Sequence, residues 1–365
     1  MRVLHFDVDD LGNVWGGGQA RRTYEISRRL SEWFGWEVTV VTGNYPGAKP
    51  CAVEVRRGSL RYVRAGVGPF PLNIISFVAS IPLLARLHPH DLAVEDFTTP
   101  IGPSMLPHVA PRPVIGSVQF LFADEMARKY RVPFNVAASK FLRGYRSLIT
   151  LTHHGRLRVQ APASQATVHV VPQGLNSDAF VPPDAINGEG DHVLFLGRLD
   201  RDQKGLDTLL DAWHHLRPGL RPPLIIAGDG RDGSALRQRA HALSLDDSIR
   251  FVGRVDGDVK ADLFRRARVV VMPSRYETYG IVAIEALARG VALVASDLPE
   301  LREVASAGAC LVPSGNPRAL AASVTSLWDD RDRRVALGAA GRASVEGLTW
   351  EYVTSLQASI YAASS

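Results

Sequence analysis

The sequence predicts an α/β fold made of two doubly wound parallel-sheet domains, and three observations carry the prediction. Short runs of Val, Ile and Leu bounded by Gly, Pro and Asp alternate with helical-period segments along nearly the whole chain. That is the pattern of parallel strands covered on both faces by helices. The alternation comes in two series, each of the kind that builds one Rossmann-like domain. At 365 residues the chain also exceeds the size at which one hydrophobic core usually stops growing.

In the first series the expected strands are Arg2–Val8, Glu37–Thr42, Leu92–Asp96, Pro113–Val118, Leu148–Thr152 and Val168–Val171. In the second they are His192–Leu196, Pro223–Ala227, Ile249–Val252, Val269–Met272, Ala292–Ala295 and Cys310–Val312. Between the series, Pro172–Glu189 breaks every periodicity with Pro-Gln-Gly-Leu-Asn-Ser-Asp, Pro-Pro-Asp and Asn-Gly-Glu-Gly, and reads as a linker. Thr349–Ala363 has a helical pattern and no strand of its own. The expected organisation is a domain over residues 1–175, a second over 176–345 and a terminal helix over 346–365.

Composition narrows the class. Hydrophobic content of 46% suits a globular enzyme, and Met1–Asp10 reaches acidic residues too soon for a signal peptide, reading instead as a first strand. The longest apolar stretch, Pro71–Leu87, is too short and too interrupted to span a bilayer. Cys51 and Cys310 offer neither a disulfide framework nor metal-ligand spacing, which suits a reducing cytoplasm. The net charge of +5 is uneven: residues 1–170 hold 20 Lys and Arg against 12 Asp and Glu, and the remainder is slightly acidic. A basic first half, with Arg21, Arg22, Arg28 and Arg29 on one helix, is expected to attract anions, including an anionic acceptor or the headgroups at the inner face of a membrane.

Two patterns point away from chemistry. Gly228-Asp-Gly-Arg-Asp-Gly233 is a literal G-x-G-x-x-G, but it lies in the second βα unit of the second series with nothing else suggesting hydride transfer, so it reads as a turn. The Asp7/Asp9, Asp200/Asp202 and Asp256/Asp258 pairs arise easily by chance in a chain with 37 acidic residues, and Asp7/Asp9 has no evident third ligand, so the expectation is a site with no metal.

The most informative segment is Met272–Gly290. A strand ends at Met272, a loop carries Glu277, and Gly280 opens a helix. The free N–H groups at such a helix start receive phosphate oxygens. At about 1.5 Å per residue, Glu285 stands roughly 7–8 Å along from Gly280, about the span from a diphosphate to the ribose beyond it. Glu277 would then face a sugar and Glu285 a nucleoside, each accepting hydrogen bonds from hydroxyls. Gly197-Arg198-Leu-Asp-Arg-Asp-Gln-Lys204-Gly205 follows the first strand of the same series, so a guanidinium and an ammonium would meet the same diphosphate. Trp15-Gly-Gly-Gly-Gln19 is a glycine-rich turn that could bring a second backbone surface to the ligand.

Together these segments, with Ala-Gly-Asp-Gly at 227–230 and Phe-Val-Gly-Arg-Val at 251–255, resemble the family-4 glycosyltransferases of the GT-B type, and among them the phosphatidylinositol mannosyltransferases. The resemblance is strong from Val193 to Pro313 and weak from Ala48 to Arg146. It implies two Rossmann-like domains facing across a cleft and a last helix, from Trp350, crossing back to the first. It implies retaining, metal-independent transfer of a sugar from a nucleoside-diphosphate sugar to a hydroxyl acceptor, with no other cofactor and no nucleic-acid partner. The oligomeric state is left open.

By matching position, Arg198 and Lys204 would bind the diphosphate and Glu277 the transferred sugar. Gly280, Ile281 and Val282 would give N–H groups to phosphate with Thr278 and Tyr279 beside them. Glu285 would take the ribose; Val252, Gly253 and Val255 would cup the base; Gly17 and Gly18 would close over the phosphates. Where many relatives carry a histidine this chain has Gln119, which cannot titrate, so Gln19, Glu95, Asp96, Asp124 and Glu125 are the other acceptor-side candidates. A sugar-nucleotide epimerase and a non-catalytic nucleotide-binding protein are the alternative readings.

Overall fold

The computed structural model describes residues 1–13, 17–45, 47–48, 51–69, 72–98, 103–120 and 139–365. Within it the chain forms two compact units, Met1–Gly174 with Leu348–Ser365, and Leu175–Gly347.

The first unit holds an eight-stranded sheet in the order β3-β4-β2-β1-β5-β6-β7-β8. Its strands are β1 (Arg2–Phe6), β2 (Glu37–Gly43), β3 (Cys51–Val53), β4 (Ser59–Ala65), β5 (Leu92–Thr98), β6 (Val114–Phe120), β7 (Ser147–Thr150) and β8 (Thr167–Val170). All pairings are parallel except β3 with β4. Strands β3 and β4 are additional to the expected set. In β4 the inward residues Leu60 and Tyr62 alternate with exposed Ser59 and Arg61, so no continuous apolar run marks it. Helix α1 (Gly18–Phe34) packs on the terminal helix α13 (Trp350–Ser364). Trp350, Val353 and Tyr361 join Val3, Ile26, Val38 and Val171 in one core cluster, so the last fifteen-residue helix completes the core of the unit that begins the chain.

The second unit holds six parallel strands in the order β11-β10-β9-β12-β13-β14: β9 (His192–Leu196), β10 (Leu224–Ala227), β11 (Ile249–Gly253), β12 (Ala267–Met272), β13 (Leu293–Ser296) and β14 (Ala309–Val312). The chain winds outward from β9 through β10 to β11, then returns beside β9 as β12. The carboxyl ends of β9 and β12 therefore flank the point where winding reverses, which is where open α/β sheets gather ligands. Val193, Phe195, Val269 and Val271 are fully buried beside Leu206, Leu210 and Trp213 of α6 (Leu206–His215), so the strand ends stand on a packed floor.

Candidate active site

The loop after β9 and the loop after β12 are stitched together. Asp200 caps the short helix α5 (Arg201–Lys204) through the Gln203 N–H, and Gly205 ends it in the left-handed region at φ 64°. A Cβ at Gly205 would lie 2.0 Å from the Pro273 carbonyl oxygen, so the close approach of the two loops requires glycine. Arg275 N–H donates to the Gln203 carbonyl at 2.8 Å, and its guanidinium grips both oxygens of Asp207, at 2.9 and 2.7 Å, and the Arg201 carbonyl at 2.7 Å. The consequence is that Lys204 Nζ reaches Glu277 Oε1 at 2.5 Å, and Ser274 Oγ donates to the same oxygen at 2.8 Å.

Immediately beyond, Gly280 at φ 87° caps helix α9 (Ile281–Ala288). The first N–H groups to find a carbonyl are those of Ala283 and Ile284, both on Gly280 O. The N–H groups of Gly280, Ile281 and Val282 have no backbone acceptor among the described residues. Thr278 and the buried Tyr279 complete the loop. One turn into α9, Glu285 Oε1 is bonded by Lys260 at 2.6 Å, while Glu285 Oε2 is buried without a hydrogen bond. Arg198 is exposed on the loop after β9 and makes no ion pair among the described residues. It lies beside Tyr276, whose hydroxyl is pushed up by burial and by Asp200 and Asp202, against the opposing effect of Arg198. Val252, Gly253 and Val255 stand at the carboxyl end of β11, where Gly253 O accepts from Gly228 N–H at 2.7 Å. The structure thus joins Lys204 to Glu277 directly and sets the helix start and Glu285 on the same element. Lys260 and Asp207 complete the site from outside any motif, while Ser274 and Arg275 lie within Met272–Gly290 with no role expected of them.

The G-x-G-x-x-G glycines serve backbone packing. A Cβ at Gly228 would meet Gly197 O at 1.8 Å, and one at Gly230 would meet Leu199 O at 2.6 Å. Leu199 N–H donates to Asp229 O and Asp232 N–H to Leu199 O, so this turn holds the loop that carries Arg198.

In the first unit, Gly17 caps α1 and Gly18 and Gln19 begin it. Gln19 Nε2 donates to Asp7 Oδ1 at 2.8 Å. Thr23 Oγ1 bridges Asp7 Oδ2 at 2.7 Å and Asp96 Oδ2 at 3.1 Å, and His5 Nε2 lies 2.9 Å from Asp96 Oδ2. Burial and then the Asp96 charge push the Asp7 carboxyl up to about 8. Burial works the same way on Asp96, but the His5 charge together with hydrogen bonds from His5, Ser117 and Thr23 holds Asp96 below the usual range. Glu95, on the opposite face of β5, is closed in by Tyr145 Oη and by Ser104 N–H and Oγ at 3.0 and 2.9 Å, and burial raises it to about 7. It anchors the Ser104 turn. Gln119 is buried and donates to Ser117 Oγ at 3.1 Å. Asp124 and Glu125 lie outside the described residues.

The expected basic patch on α1 is corrected. Arg22 is 2% exposed, donating to the carbonyls of Pro172 and Val171 and to Gln357 Oε1. Arg29 is also buried, paired with Glu25 and Glu351. Arg21 and Arg28 are paired with Glu25 and Glu32. The helical period explains the split: Arg22, Ile26 and Arg29 share the inner face, Arg21 and Arg28 the outer. No helix of the described residues is long and apolar enough to cross a membrane, and none of their His, Cys, Asp and Glu form a group of three or more suited to a metal ion.

Residues 177–344 match the family model described as glycosyl transferases group 1, and residues 16–179 match glycosyltransferase family 4. The chain is 36% identical over 217 residues to the phosphatidyl-myo-inositol mannosyltransferase of Mycobacterium leprae, a match covering 56% of each chain. It therefore aligns with about half the length of that relative. Over 413 aligned positions it is 27% identical to the D-inositol 3-phosphate glycosyltransferase of Xylanimonas cellulosilytica, covering 97% of this chain and 94% of that one. Among solved structures, sucrose-phosphate synthase from Thermosynechococcus elongatus superposes with a TM-score of 0.82 at 22% identity, covering 99% of this chain and 98% of that one, a likeness of fold.

Proposed function

The chain belongs to the group 1 glycosyl transferases, with a family 4 domain ahead, and from that membership we propose that it moves a sugar from a nucleoside-diphosphate sugar to a hydroxyl acceptor. The observation that carries this reading is the Lys204–Glu277 pair, 2.5 Å apart where the winding of the second sheet reverses and beside the start of α9. An ammonium and open N–H groups suit a diphosphate, and a carboxylate beside them suits sugar hydroxyls.

In this reading the diphosphate takes the N–H groups of Gly280, Ile281 and Val282. Lys204 has three donors and can serve Glu277 and a phosphate oxygen together. As the bond from sugar to phosphate lengthens, negative charge grows on the leaving group where these donors already point. Glu277 holds the sugar in place while positive charge develops on it. Transfer with retention follows if the acceptor hydroxyl attacks from the face the diphosphate leaves and the departing phosphate oxygen takes its proton. That route asks for no protein nucleophile, no metal and no titrating group at Gln119. The acceptor is read as a polyol hydroxyl, by analogy with the inositol-related names of the relatives.

A thermal-shift screen of UDP, GDP, dTDP and ADP in EDTA tests the donor site. At 100 times its dissociation constant the right nucleotide should add about 2.7 kcal/mol of stability. Binding seen only when magnesium is restored would refute the metal-free reading; binding of none, with or without magnesium, would refute the donor site.

A further inference from the structure

Resting on the donor-site reading above, we propose that Lys260 is a positioning residue for the ribose, acting through Glu285. Helix α8 (Gly257–Arg265) starts two residues after Val255, at the end of the segment assigned to the base. It is clasped to α9 by two rungs one helical turn apart. Lys260 Nζ bonds Glu285 Oε1 at 2.6 Å, and Phe264 lies under the Arg289 guanidinium at 4.9 Å. Lys260 and Phe264 are four apart on α8, and Glu285 on α9 and Arg289 at its C-cap are also four apart, so the rungs run side by side. Arg289 also donates to the Glu285 carbonyl at 3.0 Å.

Glu285 is thus fixed at its main chain by Arg289 and at one carboxylate oxygen by Lys260. Its other oxygen, Oε2, is buried and accepts no hydrogen bond. A buried carboxylate oxygen without a donor is uncommon and calls for an explanation. Hydroxyls of a ribose are donors of the right kind. Lys260 ties that carboxylate to the base-side helix, so that the base segment and the ribose acceptor keep a fixed spacing. A group held in place by its neighbours binds with less loss of freedom than a mobile one. A tie between two helices with no part in recognition would instead affect every nucleotide alike.

The test is calorimetry with GDP and UDP, each beside its 2′,3′-dideoxy counterpart, on the full chain and on Lys260→Met and Lys260→Arg. The unchanged protein should prefer the ribose form. In Lys260→Met that preference should shrink about tenfold, the lower end for a hydrogen bond to a charged group, and Lys260→Arg should restore most of it. Affinity lost equally for ribose and dideoxy forms, or not lost at all, would overturn the role of Lys260. If the unchanged protein itself makes no distinction between the two forms, the assignment of Glu285 to the ribose fails, and the proposal with it.

Discussion

Replacing Gly205 by alanine tests whether the close approach of two loops is what assembles the site. Two costs arise there. The φ of 64° lies where an L side chain is strained, a penalty of about 1 kcal/mol. The new Cβ would also sit 2.0 Å from the Pro273 carbonyl oxygen, and backbone cannot swing aside as a flexible side chain can. Restoring ordinary contact means parting the loops by roughly 1 Å, which draws Lys204 from Glu277, and a misplacement of that size costs about 10²-fold in rate. Gly315→Ala is the control, since Gly315 has a φ of 74° and nothing within 4 Å of the added Cβ. Urea unfolding and donor turnover should be measured on both. Gly315→Ala should lose about 1 kcal/mol with unchanged turnover, whereas Gly205→Ala should lose about 3 kcal/mol and most of its activity. If Gly205→Ala keeps turnover within about threefold of the control, the loop contact does not set the catalytic geometry.

Other perturbations follow from the same contacts. Lys204→Ala should lower turnover at saturating donor by about 10²–10³ with a smaller change in nucleotide affinity, because its partner gains charge in the transition state; equal losses in both would place Lys204 in ground-state binding alone. Arg22→Met should lower the urea midpoint by the equivalent of about 3 kcal/mol, since the carbonyls and amide it serves would remain buried; a loss below about 1 kcal/mol would contradict that role. The Glu95 carboxyl, raised to about 7 by burial, keeps its proton in the folded chain while the unfolded chain releases it near the ordinary value. The folded state then binds more protons between about pH 4.5 and 7, so this group's stabilisation falls as pH rises through that window. Glu95→Gln should flatten the fall in melting temperature; an unchanged slope would remove Glu95 as its source.

Much of this was legible in the sequence because it is local. Apolar runs marked the buried parallel strands, and the spacing from Glu277 through Gly280 to Glu285 lies within one loop and one helix. What was not legible depends on residues far apart in the chain. His5 and Asp96 are 91 positions apart, and only the adjacency of β1 and β5 makes them a pair. Lys260 meets Glu285 across 25 positions, with nothing in the intervening chain to announce it. The arginines of α1 were a different case: the seven-residue spacing of Arg22 and Arg29 around Ile26 already placed them on the inner face, but composition alone made them look like a surface patch. Strand β4 likewise carried a readable alternation that its arginines obscured.

In the proposed function the second unit divides a nucleotide sugar between Glu277 and Glu285. Calorimetry of GDP and UDP on Glu277→Ala and Glu285→Ala tests it most directly, because the nucleoside diphosphate alone carries a ribose but no sugar to be transferred. Glu285→Ala should weaken binding by about tenfold or more while Glu277→Ala stays within about threefold of the unchanged protein. Equal losses in the two variants would contradict the placement of the transferred sugar beside Glu277.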